Sequence, residues 1–437
     1  MDMDDDIAGI LRSYISFEKE LQVKTNEAHD LKGLINSKTT ETTPIHRWYY
    51  FKESYSDQLI GNMLAEFDVK KGSTVLDPFA GSGTTLLACQ WRGMMPIGID
   101  INPFFTFVER VKLDWFKYDA EKLGKQIEKL KEVSSENKPG IKSPELSSFR
   151  RVYNPDVLSQ ILTYKEVVLQ VEDELTRNLL LLGLASILED VSLVRKEGKS
   201  LKFRKKTISP VKDTFLKKLK AIQADLIQLN TSTNVQKTEG KVFTLDTREL
   251  DLKSIERNMP LDLAIFSPPY LNTFDYTEVY KLELWFLDFV KNYKEFKALR
   301  ERTLRSHNLV EWKPTKIWKC SLLDDIIEKV RSRKLWSNVI PVMIQGYFDD
   351  MFLCMKRLHE VLKEDGLCII VVGNSSYANI PVPTDLLLTR LSQEAGFKSI
   401  EIKIARKLTT SSQQLKTLKD RNLRNYLRES IIILRNV

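Results

Sequence analysis

Apolar runs in two separated parts of this chain are short enough to be buried strands. Between residues 74 and 101, TVLDPF and PIGIDI are two such runs, with the helical segment TTLLACQWRG between them. This order predicts a βαβ unit. Further strands are predicted at 240–246, 261–267, 366–374, 398–405 and 429–435. Alternation of strands and helices on both sides of a long insertion predicts a doubly wound α/β sheet.

The insertions have a different pattern. Residues 106–240 show the helical spacing of apolar residues and no alternation typical of strands, so we expect a largely helical block. Residues 291–345 are rich in Lys, Arg and Trp, and their pattern does not decide between helix and strand. Apolar residues recur at helical spacing from Ile7 to Tyr14, which predicts a helical arm at the N-terminus.

Composition excludes several classes of protein. Of the 437 residues, 42% are hydrophobic and 29% charged, as in globular proteins. The longest apolar stretches are shorter than the roughly 18 residues of a membrane span. The acidic N-terminus does not resemble a signal peptide, so we expect a cytoplasmic protein. Four cysteines and four histidines are too scattered for a metal site or a disulfide framework, and we expect no metal.

Positive charge is concentrated in one stretch. The net charge is +8, and residues 195–220 are strongly basic. Such a stretch suits the phosphates of a nucleic acid, although a solvated helix face is the other interpretation. The residues that we expect to contact nucleic acid are Lys199, Lys202, Arg204, Lys205 and Lys206.

Two glycines separate the first predicted strand from its helix in VLDPFAGSGTTLLA. Gly81 and Gly83 let the backbone turn tightly and let a ligand approach closely. The dinucleotide fingerprint needs a third glycine where this chain has Leu86, and a phosphate-binding P-loop needs a lysine where it has Thr84. The pattern therefore favours a cofactor that has a ribose but no phosphate.

Aspartates lie at the ends of three predicted strands. Asp100 can accept hydrogen bonds from ribose hydroxyls. Asp77 adds a second negative charge beside the glycines, which favours a sulfonium or ammonium group. Asp246 could bind an adenine amino group. Each one alone is also a typical helix cap or loop residue, but three at successive strand ends favour a binding site.

The motifs DPFAGSGTT and GIDINP, followed later by SPPY, resemble the exocyclic-amino DNA methyltransferases of bacterial restriction–modification systems and their solitary relatives. The resemblance covers about 44–110 and 240–290 and, more loosely, 355–437. It implies a Rossmann-like methyltransferase sheet and S-adenosylmethionine as cofactor. By this likeness the cofactor is held by Phe79, Gly81, Gly83, Asp100 and Asp246. Phe51, in HRWYYFKESYS, is expected at its methionine end.

The corner Ser267-Pro268-Pro269-Tyr270 follows the strand LDLAIFS. Ser267 and the carbonyl of Pro268 can accept the two hydrogens of an exocyclic amino group, and the prolines keep these acceptors rigid. Tyr270 can stack on a base that has been turned out of the duplex. A plain strand-ending turn is the alternative. Within the family, Ser267 favours cytosine N4 over adenine N6.

The resemblance also implies how the chain is divided into parts and which partners it binds. We expect these parts: an N-terminal helical arm, 1–43; a cofactor-binding part of the methyltransferase domain, 44–105; a basic helical insertion that recognises the target, 106–239; a catalytic part, 240–290; a second insertion that contacts DNA, 291–345; and a C-terminal part, 346–437. Double-stranded DNA is the expected partner, a cognate restriction endonuclease is a further one, and no membrane is expected. An RNA methyltransferase and a catalytically silent DNA- or protein-binding relative are the alternatives.

Overall fold

The computed structural model describes residues 3–134, 138–205, 207–231, 235–408 and 421–437. Its strands are β1 (Lys24–Glu27), β2 (Thr74–Asp77), β3 (Met95–Asp100), β4 (Val194–Glu197), β5 (Ser200–Phe203), β6 (Lys241–Thr244), β7 (Leu261–Phe266), β8 (Leu362–Gly373), β9 (Ser375–Tyr377), β10 (Ile380–Val382), β11 (Phe397–Lys407) and β12 (Arg428–Asn436).

Its helices are α1 (Met3–Glu20), α2 (Asp57–Glu66), α3 (Thr84–Gln90), α4 (Pro103–Leu113), α5 (Ala120–Lys131), α6 (Phe149–Val152), α7 (Pro155–Leu169), α8 (Glu174–Ser186), α9 (Val211–Asn230), α10 (Tyr276–Val279), α11 (Lys281–Phe286), α12 (Tyr293–Arg302), α13 (Ser321–Arg331), α14 (Ile340–Val361), α15 (Thr384–Glu394) and α16 (Arg421–Arg424). Single turns of 3₁₀-helix lie at His29–Gly33, Lys38–Glu41, His46–Trp48, Asp114–Lys117 and Thr247–Glu249.

Eight strands form the central sheet in the order β1-β11-β12-β8-β7-β2-β3-β6. The strands from β8 to β6 are parallel, and β12 is antiparallel to both of its neighbours. The predicted doubly wound α/β fold is therefore confirmed. The carboxyl ends of β6, β3, β2, β7, β8 and β11 share one edge of the sheet with the amino end of β12, because β12 alone runs the other way.

Helices cover both faces of the sheet. On β7, Ala264 and Phe266 pack into the apolar cluster formed with α1, α13, α14 and α15. Leu263 and Ile265 point to the opposite face, against α2 and α3. Central parallel strands are buried on both faces, which explains why LDLAIF is apolar almost throughout. The functional residues are therefore confined to the strand ends.

The long insertion is mostly helical, with one exception that the sequence did not predict. β4 and β5 form an antiparallel hairpin within the basic stretch, turning at Gly198, whose φ is +63°. The rest of the stretch enters α9, where Phe215, Leu219 and Ile222 are buried. The basic stretch is thus a hairpin followed by an amphipathic helix rather than one helix face.

The N-terminal part also differs from a plain helical arm. After α1, β1 joins the central sheet and pairs in parallel with β11. Tyr14 of α1 is buried and donates a hydrogen bond to the carbonyl of Pro381. Among the described residues, no helix is both long and apolar enough to cross a membrane.

Candidate active site

Four neighbouring strand ends, together with a loop of the second insertion, enclose a cavity of about 270 Å³. Because β6, β3, β2 and β7 are parallel, the residues that follow them meet at one edge. The sequence-predicted residues that line the cavity are Phe51, Asp77, Phe79, Gly81, Asp100, Asp246, Ser267, Pro269 and Tyr270. Gly83 and Pro268 belong to the same two turns but do not line the cavity. The structure therefore brings two turns into one site: the turn at Gly81 and Gly83, here called the glycine corner, and the turn from Ser267 to Tyr270, here called the proline corner.

The glycine corner needs glycine at both positions. Gly81 and Gly83 have φ values of +55° and +81°, in the left-handed region that side chains disfavour. A Cβ at position 81 would also lie only 3.1 Å from Cε1 of Phe51. The Phe51 ring therefore lies directly over the turn, as expected for a residue that covers a bound cofactor.

Two buried carboxyl groups flank this turn. Asp77 accepts hydrogen bonds from the backbone N–H of Phe79, at 3.0 Å, and from Oγ1 of Thr85, at 2.6 Å. Asp100 accepts from the N–H groups of Gly81, at 3.1 Å, and of Asn102, at 2.8 Å. Burial raises the pKa of Asp77 to about 7 and that of Asp100 to about 6. A positively charged ligand would favour their ionised forms.

Asp246 has a different environment. Its carboxylate accepts three hydrogen bonds from Arg248, from the backbone N–H, from Nε and from Nη2, at 3.0, 2.9 and 2.6 Å. Arg248 also donates to Asp350 and to the carbonyl of Arg302. A carboxylate offers about four acceptor positions, so Asp246 keeps about one for a ligand. Because its charge is compensated, it suits a neutral donor such as an adenine amino group.

Aromatic rings surround Phe51. Its ring centroid lies 4.9 Å from that of Phe105, 5.6 Å from Tyr280 and 6.3 Å from Tyr276. Glu53 also lines the cavity, accepts a hydrogen bond from the Tyr280 hydroxyl at 2.5 Å, and has a pKa raised by burial. No motif in the sequence indicated Glu53, although it lies only two residues after Phe51.

The proline corner is held by packing. Ser267 and Tyr270 both line the cavity. The Tyr270 ring lies against Gly373 at the end of β8, where an added Cβ would be 2.8 Å from Cε2 of the tyrosine. Burial raises the pKa of Tyr270, so its hydroxyl is protonated at neutral pH. The absence of a side chain at position 373 makes room for the ring.

The second insertion supplies part of the wall. Thr303 and His307 line the cavity, and Oγ1 of Thr303 lies 3.0 Å from Nε2 of His307. Arg305 holds this loop by donating to both oxygens of Asp350. Sequence analysis assigned no site residue here, because no strand or helix pattern indicated where this segment would fold.

The hairpin β4–β5 borders the loop that follows Tyr270. Lys199, at its turn, donates to Oγ1 of Thr273, three residues after Tyr270. Arg204 is paired with Glu197. The hairpin therefore places basic residues beside the loop that follows the proline corner. Of the other expected nucleic-acid contacts, Lys202 and Lys205 are exposed, and Lys206 lies outside the described residues.

These features fit S-adenosylmethionine. The turn at Gly81 and Gly83 leaves room for close approach, Asp77 and Asp100 are buried acids that a positive charge would stabilise, and Asp246 keeps an acceptor. The same geometry disfavours a pyrophosphate, since two carboxyl groups would face its negative charge. The site thus matches a cofactor that has a ribose and a cation.

Known proteins support this interpretation. A family model for N6/N4 enzymes, described as DNA methylase, matches residues 18–107. The type II methyltransferase M.BsoBI of Geobacillus stearothermophilus is 28% identical over 437 residues, covering 88% of this chain and 85% of its own. M.AvaI of a Nostoc species is 27% identical over 467 residues, covering 97% and 95%. M.MjaII of Methanocaldococcus jannaschii is 39% identical over 110 residues, covering 24% and 20%.

A solved rRNA methyltransferase from Streptomyces viridochromogenes aligns with 90% of this chain and 85% of its own at 10% identity and a TM-score of 0.34. The sequence matches confirm the resemblance to the exocyclic-amino DNA methyltransferases of restriction–modification type. They also confirm the expected enzyme class and, with the α/β fold, S-adenosylmethionine as the methyl donor.

Proposed function

We propose that this chain, an S-adenosylmethionine-dependent DNA methyltransferase of the exocyclic-amino type, methylates cytosine N4 at a specific site in double-stranded DNA. The observation that supports this most directly is the meeting of two corners in one cavity. Asp77, Gly81 and Asp100 lie on the cofactor side, and Ser267 and Tyr270 lie on the base side. Adenine N6 is the alternative acceptor, and Ser267 in place of the family's more frequent Asp favours cytosine.

The proline corner would prepare the amino group for reaction. The lone pair of an exocyclic amino nitrogen is delocalised into the ring, which makes the nitrogen a poor nucleophile. Hydrogen bonds to Ser267 and to the carbonyl of Pro268 would draw the nitrogen toward tetrahedral geometry. Because the two prolines fix these acceptors in advance, little reorganisation is needed during the reaction. Tyr270 provides the ring on which the base stacks.

The reaction needs no covalent bond to the protein. Bound S-adenosylmethionine supplies an electrophilic methyl group. The amino nitrogen would bond to the methyl carbon as the carbon–sulfur bond breaks, with S-adenosylhomocysteine as the leaving group, and would then lose one proton to water. The four cysteines do not line the cavity, and burial raises the pKa of all four, so their thiolates are suppressed. Among the described residues, no thiol is therefore placed for nucleophilic attack on a cytosine ring carbon.

The remaining parts of the proposal concern DNA. A base inside a duplex cannot reach the cavity, so we assign base flipping to this enzyme. The helical insertion, 106–239, and the second insertion, 291–345, are the parts proposed to contact DNA. Both reach the loop after Tyr270, because Thr273 bonds to Lys199 of the hairpin and to the carbonyl of Ser306. A cognate restriction endonuclease and a cytoplasmic location belong to the same proposal.

Product analysis tests the proposal. The purified protein is incubated with S-adenosylmethionine and unmethylated genomic DNA, the DNA is digested to nucleosides, and these are analysed by mass spectrometry. N4-methylcytosine is the expected product. N6-methyladenine would keep the mechanism and change the base. Methylation of total RNA but not DNA would indicate an RNA enzyme, and no product from either would indicate a silent binding protein.

A further inference from the structure

The wall of the cavity beside Tyr270 contains an ion pair that no sequence motif indicates. Arg406, near the end of β11, and Glu429, near the start of β12, are paired in register and both line the cavity. Nε of Arg406 donates to Oε2 of Glu429. Glu429 is in turn paired in register with Gly373 of β8. The ion pair therefore lies next to Gly373, the residue against which the Tyr270 ring packs.

Three features place this pair on the base side of the cavity. Cγ of Glu429 and Cε2 of Tyr270 lie 3.2 and 2.8 Å from the same point, the Cβ that Gly373 lacks. The charges of Glu429 and Arg406 both act on the Tyr270 hydroxyl, the first raising and the second lowering its pKa. Asp77, Asp100 and Asp246 follow strands on the other side of β7. The pair is thus a neighbour of the proline corner rather than of the glycine corner.

The two residues of the ion pair differ in solvent exposure, and this difference indicates which of them can contact a ligand. The Glu429 side chain is 9% exposed and the Arg406 side chain 32% exposed. The buried carboxylate therefore anchors Nε, while Arg406 is the more exposed partner and lines the cavity. Arginine presents donors in a planar fork, and a carboxylate bound at Nε restricts the orientation of that fork.

We propose that Arg406 recognises the ring edge of the flipped base, with Glu429 as its positioning residue. This rests on the proposed function, because it assumes a base whose amino group is held by Ser267. Beside that amino group, cytosine carries two adjacent acceptors, N3 and O2, which match a two-donor fork. Adenine carries one acceptor, N1, next to a C–H group. The pair would therefore discriminate in favour of cytosine.

A cycle that combines a substrate analogue with an enzyme variant tests the contact between Arg406 and N3 of the base. Duplexes carry either cytosine or 3-deazacytosine at the target position, so that only N3 is replaced by C–H. For the wild-type enzyme we expect kcat/KM to be roughly 10- to 100-fold lower for the analogue, in the range of a lost base contact. In R406M the two substrates should differ by less than about threefold, because the partner of N3 is gone.

Matched variants separate recognition from stability. Arg435 lies on β12 near its other end, where it pairs with Asp365. R435M should therefore keep the wild-type ratio between the two substrates. R406K, which retains the charge next to Glu429, serves if R406M does not fold. E429A should reduce the ratio partly, and E429Q should reduce it less, since the amide still offers an oxygen to Nε.

Each other outcome has a defined meaning. An unchanged substrate ratio in R406M and R406K would overturn the contact. A loss confined to the KM for S-adenosylmethionine, or to the salt dependence of DNA binding, would also overturn it and indicate a cofactor or phosphate contact. N6-methyladenine as the wild-type product would overturn the match to cytosine. No methylation at all by the wild-type enzyme would instead contradict the proposed function.

Discussion

The corners that follow β2 and β7 are neighbours in the sheet, but they are held in different ways. After β2, hydrogen bonds fix the turn: Asp77 binds the backbone N–H of Phe79, and Asp100 binds that of Gly81. After β7, two prolines and the packing of Tyr270 on Gly373 fix the turn. The glycine corner thus uses its polar groups for its own structure, whereas the proline corner keeps acceptors available for a substrate.

This difference has a chemical reason. A cofactor of constant shape can be bound by a preformed turn whose charges it complements. A flipped base must find acceptors that are not already satisfied by the protein, since its amino group is reshaped only by hydrogen bonds that it donates in the complex. Proline makes the backbone of the turn rigid without using a hydrogen bond, because its ring fixes φ and it has no N–H.

The largest effect is expected for Ser267→Ala. If Ser267 is an acceptor used mainly in the transition state, kcat should fall roughly 100- to 1000-fold, as for other preorganised hydrogen bonds in active sites. Binding of S-adenosylmethionine should not change, because the glycine corner is separate. Single-turnover kinetics and calorimetry measure the two quantities. Equal losses in both would show that the corners are not independent.

The second largest effect is expected when the packing of Tyr270 on Gly373 is changed. Gly373→Ala should displace the Tyr270 ring, since the new Cβ would lie 2.8 Å from Cε2. We expect kcat/KM for DNA to fall roughly 10- to 100-fold, which corresponds to the loss of one stacking contact. Gly33→Ala is the control, because no atom lies within 4 Å of its Cβ position. Full activity of Gly373→Ala would mean that Tyr270 is held by other contacts.

A smaller effect is expected from pH. The pKa of Asp77 is raised from 3.8 to about 7 in the folded protein. Its contribution to the stability of the free protein is therefore complete below pH 3.8 and is lost as pH rises through about 7. A cationic ligand prefers the ionised form, so affinity for S-adenosylmethionine should rise up to about tenfold per pH unit as pH increases toward 7.

Calorimetry between pH 5.5 and 8 measures this dependence. Asp77→Asn should bind the cofactor more weakly at pH 8 and show a flatter pH profile. The contribution of Asp100, with its pKa of about 6, would remain at the acidic end of the profile. A wild-type affinity that does not change with pH would contradict the assigned role of Asp77.

The smallest effect is expected on the hairpin. Lys202→Ala with Lys205→Ala should flatten the plot of log K for DNA against log salt by about 1.8, if each lysine neutralises one phosphate. Lys70→Ala with Lys71→Ala is the control, since these residues precede β2 at the opposite edge of the sheet. An unchanged slope in the hairpin variant would remove the hairpin from the DNA interface.

The sequence by itself determined the fold class and the two corners. Glycines after β2, prolines after β7 and aspartates at strand ends are local signals, and parallel strands place their carboxyl ends at one edge. Asp77, Asp100 and Ser267 could therefore be assigned to one site before their distances were known. The same reasoning predicted β2, β3 and β7 nearly to the residue.

Only the tertiary structure decided which distant residues complete the cavity. Gly373, Arg406 and Glu429 come from the far end of the chain and meet Tyr270 because β8, β12 and β11 lie in succession beyond β7. His307 reaches the cavity from a segment without a clear pattern. A side chain that functions through a long-range contact leaves no periodicity or spacing in its own neighbourhood, so local sequence cannot reveal it.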